Sequence, residues 1–136
     1  MSEPSLFTKI ISGEIPAHKI YEDGQTYAFL DIDPLNPGHT LVIPKKQVDQ
    51  LWDLGDDLYQ ALMSSVKKVA NRQREVLKPE RVGLAVEGFA VPHVHVHVFP
   101  LYKGLESTVS DHIAGKSKKP DQKALAAMAK KLHFGD

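Results

Sequence analysis

Leu6, Phe7, Ile10 and Ile11 recur at the spacing of one helical face directly after Ser5, a good N-cap, and the run stops at Gly13. This predicts a short first helix. From His18 to Asp23 and again from Thr26 to Ile32, β-branched and aromatic residues flank Asp23-Gly24, the pattern of a hairpin and its turn. The stretch Asp33-Pro34-Leu35-Asn36-Pro37-Gly38 breaks the sheet before a third strand, His39 to Ile43, closed by Pro44. Leu54, Leu58, Leu62, Val66, Val69, Ala70, Gln73 and Leu77 trace one face of a long helix running from about Asp53 to the stop at Pro79. Val82 to Val86 predicts a fourth strand. His93 to Phe99 alternates strictly and predicts a fifth, with Pro92 at its start. Lys103 to Pro120, rich in Gly, Ser and Lys, reads as a loop, and Asp121 to Leu132 as a short amphipathic helix.

The expected fold is therefore α+β: a five-stranded, mostly antiparallel sheet with one long helix and short terminal helices. With 136 residues and no internal repeat, a single domain is expected, its core spanning residues 5–102 and the remainder, 103–136, forming a loop and a C-terminal helix. Seventeen basic side chains balance seventeen acidic ones, which argues against nucleic acid as a bulk ligand. The absence of cysteine excludes disulfides, thiolate metal sites and a thiol nucleophile. The N-terminal MSEPSLFTKI lacks the apolar core of a signal peptide, and no apolar run approaches the roughly 20 residues that span a bilayer. A soluble, cytoplasmic protein without a membrane partner is expected.

The chemistry concentrates in histidine. His93, His95 and His97 occupy alternate positions of HVHVHVF, so in a strand their imidazoles form a row while Val94, Val96 and Val98 face the core. Three readings compete. The row is the polar face of a half-exposed strand; or two of its rings join His39 around a zinc ion, as His39, His95 and His97; or the central ring is a nucleophile that its neighbours orient. Geometry limits the metal reading, because at about 3.3 Å per residue the outer two rings lie roughly 13 Å apart at Cα and converge poorly on one ion.

The HVHVHVF segment resembles the signature of the histidine-triad (HIT) family. FTKIISGEIPAHKIYEDGQTYAFLDIDPLNPGHTLVIPKK is similar, element for element, to the N-terminal half of its nucleotide-binding branch, and the likeness extends from about Leu6 to Pro100. The resemblance implies a homodimeric α+β protein that binds purine nucleotides or their conjugates. It implies release of a nucleoside monophosphate, AMP above all, from phosphoramidate or phosphoanhydride compounds through a nucleotidyl-histidine intermediate, with no required cofactor. By the same resemblance His95 is the nucleophile, His93 the residue whose backbone orients it, His97 the partner of the phosphate oxygens and His39 the fourth histidine beside them. Asp31 would bind the ribose hydroxyls, as a carboxylate suits a vicinal diol. Leu6, Phe7, Ile10, Ile15, Phe29 and Ile32 would enclose the base, although periodicity alone reads these apolar residues as ordinary core.

The loop EGFAVP departs from the branch pattern in being short, a bacterial-type variant. Val86 stands where the branch commonly has asparagine, Phe89 for a glutamine, and Ala90 for a polar residue that contacts the phosphate. Backbone N–H groups of Gly88, Phe89, Ala90 and Val91 are left to stabilise the developing phosphoryl charge. Two rival functions stay open: a non-catalytic regulator that binds purine nucleotides, and a zinc-binding protein built on the histidine cluster.

Overall fold

The computed structural model describes residues 3–103 and 119–135. The chain forms α1 (Leu6–Ile11), β1 (Lys19–Glu22), β2 (Thr26–Leu30), β3 (Thr40–Pro44), a 3₁₀ turn (Leu51–Asp53), α2 (Asp56–Leu77), β4 (Arg81–Ala85), β5 (Val96–Leu101) and α3 (Gln122–Leu132). The strands make one five-stranded sheet in the order β1-β2-β3-β5-β4, and each neighbouring pair is antiparallel. This is the α+β architecture expected from the pattern. Most of the loop expected between Lys103 and Pro120 lies outside the described residues.

Local chemistry explains the boundaries. The Ser5 hydroxyl caps α1 by accepting the Thr8 N–H, and Asp23 Oδ1 accepts the N–H groups of Gln25 and Thr26 to close the β1–β2 turn. The long helix starts at Asp56, not Asp53: Leu51–Asp53 makes a separate 3₁₀ turn, Leu54 is extended, and Gly55 takes the cap. It ends with Lys78 in the left-handed region, at φ 52°, and Pro79 follows.

Most strand ends shift by a few residues at most from expectation, β4 for instance running Arg81–Ala85 and so leaving out Val86, and three of the shifts bear on the site. β2 stops at Leu30, not Ile32, because the Asp31 carboxylate turns to accept the Asp33 N–H at 2.8 Å and pulls the chain off the ladder. β3 begins at Thr40, leaving His39 beside Asp31, whose N–H donates to the His39 carbonyl at 2.9 Å. β5 begins at Val96: the His93 N–H bonds back to the Val91 carbonyl, and the Val94 N–H bonds to Val48 outside the sheet, each at 2.8 Å.

Both faces of the sheet centre are covered. On one side Leu62, Val66 and Val69 of α2 and Leu125, Ala129 and Leu132 of α3 pack against Ala28, Leu30, Val42, Val94, Val96 and Val98. Each of the valines and leucines contributes about 1.5–3 kcal/mol on burial. On the other side Tyr27, Phe29, Leu41 and Ile43 pack against Phe7 and Ile10 of α1. The short helix covers only part of this face, and the rest of it carries the histidines. Among the described residues no helix is long and apolar enough to cross a membrane.

Candidate active site

A cavity of about 680 Å³ opens on the α1 side of the sheet. Of the residues singled out in the sequence, Leu6, Phe7, Ile10, Ile15, Phe29, Asp31, Ile32, His39, Ala90, Val91, His95 and His97 line it. Three do not. His93 is fully buried behind the wall, Gly88 lies outside it, and the Phe89 side chain stands in solvent, 94% exposed. The wall also contains residues that sequence reasoning missed, among them Ala17, His18, Leu35, Glu87 and Gln122. Gln122, at the start of α3, meets His18 Nε2 through its Oε1 at 2.7 Å and so joins two distant parts of the chain at the rim.

The histidines do not form the expected row along a strand, since only His97 lies within β5. The alternation survives the loss of the ladder, however. Val94, Val96 and Val98 all enter the α2-side core, whereas Phe7 of α1 meets both the His93 and the His95 rings edge-on, with centroids 5.8 and 5.0 Å away. His95 and His97 are neighbours at 5.2 Å, and His97 and His39 at 5.1 Å.

Hydrogen bonds then dictate the tautomers. His95 Nδ1 lies 2.7 Å from the His93 carbonyl oxygen, which can only accept, so Nδ1 carries the hydrogen and the neutral ring has its lone pair on Nε2. His39 is held the other way round. Its Nδ1 accepts the Leu35 N–H at 2.9 Å, so its hydrogen is on Nε2 and is donated to His97 Nδ1 at 2.9 Å. His97 in turn must carry its hydrogen on Nε2. The cluster therefore offers a lone pair on His95 beside a donor on His97.

Asp31, His39 and His97 bring one ligand atom each within 4.8 Å of one another, a grouping that replaces the expected His39, His95 and His97 as the metal candidate. Its donor set does not fit an ion. A metal on His39 Nε2 needs a lone pair there, but the Leu35 N–H holds that lone pair on Nδ1. The Asp31 Oδ2 atom stands 3.7 Å from His39 Nε2 and 3.9 Å from His97 Nδ1, spacings that ligands of one ion could have, so it is the hydrogen on His39 Nε2, donated to His97, that argues against a metal here.

Burial pushes the His93 imidazole below its ordinary pKa; its bond to the Pro44 carbonyl opposes this, and the adjacent His95 adds to it. The unfolded chain then binds the extra proton first as pH falls below about 6.5, so stability present in full above that pH drains away toward the lowered folded-state value. Urea unfolding of the wild type and of His93→Gln between about pH 7.5 and 5 should show a steeper loss on acidification for the wild type. Equal slopes would remove His93 as the source.

The HIT domain family model matches residues 12–104. An uncharacterised HIT-like protein of Methanocaldococcus jannaschii is 43% identical over 109 residues, covering 73% of this chain and 80% of that protein. An adenosine 5′-monophosphoramidase of Candida albicans is 38% identical over 104 residues, covering 70% and 68% respectively. Among solved structures, a Hit-like protein from Bartonella henselae superposes with a TM-score of 0.83 at 30% identity, covering 97% of this chain and 96% of its own. A zinc-bound histidine triad family protein from Mycobacterium smegmatis does so with a TM-score of 0.75, also at 30% identity, covering 93% and 94%.

Proposed function

The chain belongs to the HIT family, and from that premise we propose that it binds purine nucleotides and releases a nucleoside monophosphate, chiefly AMP, from phosphoramidate or phosphoanhydride compounds by way of a nucleotidyl intermediate on His95. The observation that carries this reading is the His95 ring: its Nδ1–H is committed to the His93 carbonyl, and the nucleophilic Nε2 belongs to a residue of the cavity wall. The monophosphoramidase named among the relatives supports the substrate class.

In the proposed reaction Nε2 of His95 attacks phosphorus, the P–N or P–O bond to the leaving group breaks, and the leaving atom takes a proton from solvent, which the attacking water of the second step returns. The His97 Nε2–H stabilises the negative charge on the phosphoryl oxygens, and His39 keeps that hydrogen on Nε2 by occupying Nδ1. Water then attacks the nucleotidyl-histidine, releasing the monophosphate and returning the neutral ring. The apolar wall of Leu6, Phe7, Ile10, Ile15, Phe29 and Ile32 would take the base. Incubation with an adenosine phosphoramidate and with a dinucleoside polyphosphate, followed by AMP release and mass spectrometry of the His95 peptide, tests the proposal. Tight nucleotide binding without turnover would instead favour the regulator.

Asp31 is the candidate ribose ligand. Asp31→Asn should weaken ribonucleotide binding about 10- to 100-fold, as expected for charged hydrogen bonds of about 1.5–3 kcal/mol, and barely affect a 2′,3′-dideoxy analogue. Equal losses for both ligands would take Asp31 out of that role.

The reading includes a homodimer. β4 is the last strand of the sheet order, and the large apolar side chains of Leu84 and, just beyond it, Val86 are exposed there. Sedimentation equilibrium of the wild type and of Leu84→Lys tests this surface.

A further inference from the structure

His93 sits in a socket of hydrogen bonds in which the position of each proton can be read. Its Nε2–H donates to the Pro44 carbonyl at 2.8 Å, which leaves a lone pair on Nδ1. The Ser5 hydroxyl donates to that lone pair at 2.7 Å while accepting the Thr8 N–H at 3.0 Å. Gln47 Oε1 accepts two hydrogens, from the Ser5 N–H and from the Thr8 hydroxyl, each at 2.7 Å, and its amide donates to the Glu3 carbonyl at 2.8 Å. Ser5 and His93 are both buried. The next residue, Val94, is held as well, its N–H donating to the Val48 carbonyl.

We infer that Ser5, with Thr8 and Gln47 behind it, positions the nucleophile: the Ser5 hydroxyl fixes the His93 ring, and through it the backbone carbonyl that holds His95 Nδ1–H. The inference rests on the reading of His95 as the nucleophile and adds the residues that aim it. A cap in α1 alone would need only the oxygen of Ser5. The Ser5 hydroxyl has two acceptors in reach, His93 Nδ1 at 2.7 Å and the Thr8 hydroxyl oxygen at 3.2 Å. Its one hydrogen goes to the nearer, a buried side chain 88 residues away whose lone pair has no other donor once the Thr8 hydrogen is given to Gln47. Release of the His93 ring would let the carbonyl swing, and the His95 lone pair would exchange between Nε2 and Nδ1. Misplacement of a reacting group by about 1 Å costs on the order of 100-fold in rate.

The test uses Ser5→Ala, Ser5→Thr and Gln47→Met in the full chain, with steady-state kinetics on the best adenosine phosphoramidate and ¹⁵N spectra of the histidine rings. Ser5→Ala should lower kcat on the order of 10- to 100-fold with KM changed less than about threefold, and Ser5→Thr, which keeps both cap and donor, should restore it. A cap-only role would instead loosen α1, whose Leu6, Phe7 and Ile10 line the base wall, and raise KM. The spectra should show His95 as the Nδ1–H form in the wild type and a mixture of tautomers in Ser5→Ala. If Ser5→Ala does not fold, Gln47→Met carries the same expectation. A folded Ser5→Ala protein with unchanged kcat and an unchanged His95 tautomer overturns the inference. Failure of the wild type to turn over any nucleotide would instead sink the proposed activity, and the tautomer spectra would still decide the positioning role.

Discussion

Replacement of His95 by alanine should lower turnover at least about a thousandfold while nucleotide affinity stays within about tenfold, or roughly 1.4 kcal/mol. The asymmetry follows from what the ring does. His95 supplies the lone pair that would form the new bond to phosphorus, whereas the apolar wall and Asp31 provide the surfaces that would hold base and ribose. Stability should suffer little by comparison, since the neighbouring Val94 and Val96, on the opposite face, carry the packing against α2. Single-turnover kinetics with radiolabelled substrate, with calorimetry of AMP binding beside it, measures both quantities. An alanine variant that retains a tenth of wild-type turnover would move the covalent step to another residue.

Gly38→Ala should cost about 1–3 kcal/mol of stability, chiefly a positive-φ penalty, because the half-buried Leu77 can swing its terminal methyl away from the new Cβ. Gly38 has a φ of 102°, and a Cβ there would lie 2.6 Å from Leu77 Cδ1, with Leu132 Cδ1 at 3.6 Å and Pro100 Cγ at 3.7 Å behind it. The chain cannot simply back away. The Gln73 amide and the Thr40 hydroxyl both donate to the Gly38 carbonyl, at 3.0 and 2.8 Å, and His39 is the next residue. The loss should therefore be accompanied by a fall in turnover, as the His39 ring loses its register with His97. Gly24→Ala is the control, because a Cβ there meets nothing within 4 Å and no positive φ is required. Urea midpoints for the two variants differing by less than the equivalent of about 1 kcal/mol would show that the 37–39 turn relaxes at little cost.

Much of the architecture was legible because its signals are local. Ser5, Asp23-Gly24, Pro79 and the α2 stripe act over a few residues, and each element they announce is present. The valines of HVHVHVF were legible for the same reason: alternation continues to direct them into the core even where the ladder has not yet begun. The tautomers were not. Whether an imidazole offers a lone pair or a hydrogen depends on the Leu35 N–H for His39, on a backbone carbonyl two residues back for His95, and on Ser5 and Pro44 for His93. Periodicity reports which face a ring occupies and nothing about what meets it there. Gln47 illustrates the gap: nothing in the run Pro44-Lys45-Lys46-Gln47 singles it out, yet its oxygen takes two hydrogens from the first turn of α1 and its cap. Gln73 was read as part of the apolar stripe of α2. It is buried as expected, but as a donor to the Gly38 and Val98 carbonyls rather than as packing.

The bond between Ser5 and His93 spans 88 residues, and the one between His39 and His97 spans 58. Closing loops of that size costs entropy that no contact between sequence neighbours returns, so such pairings are expected to form after local helix and hairpin have assembled. During refolding from urea, the far-ultraviolet signal of α2 should recover before the histidine cluster does. A chain that already looks helical would not yet show the proposed nucleotide affinity, and recovery of binding would mark the moment when Ser5 meets His93 and His39 meets His97.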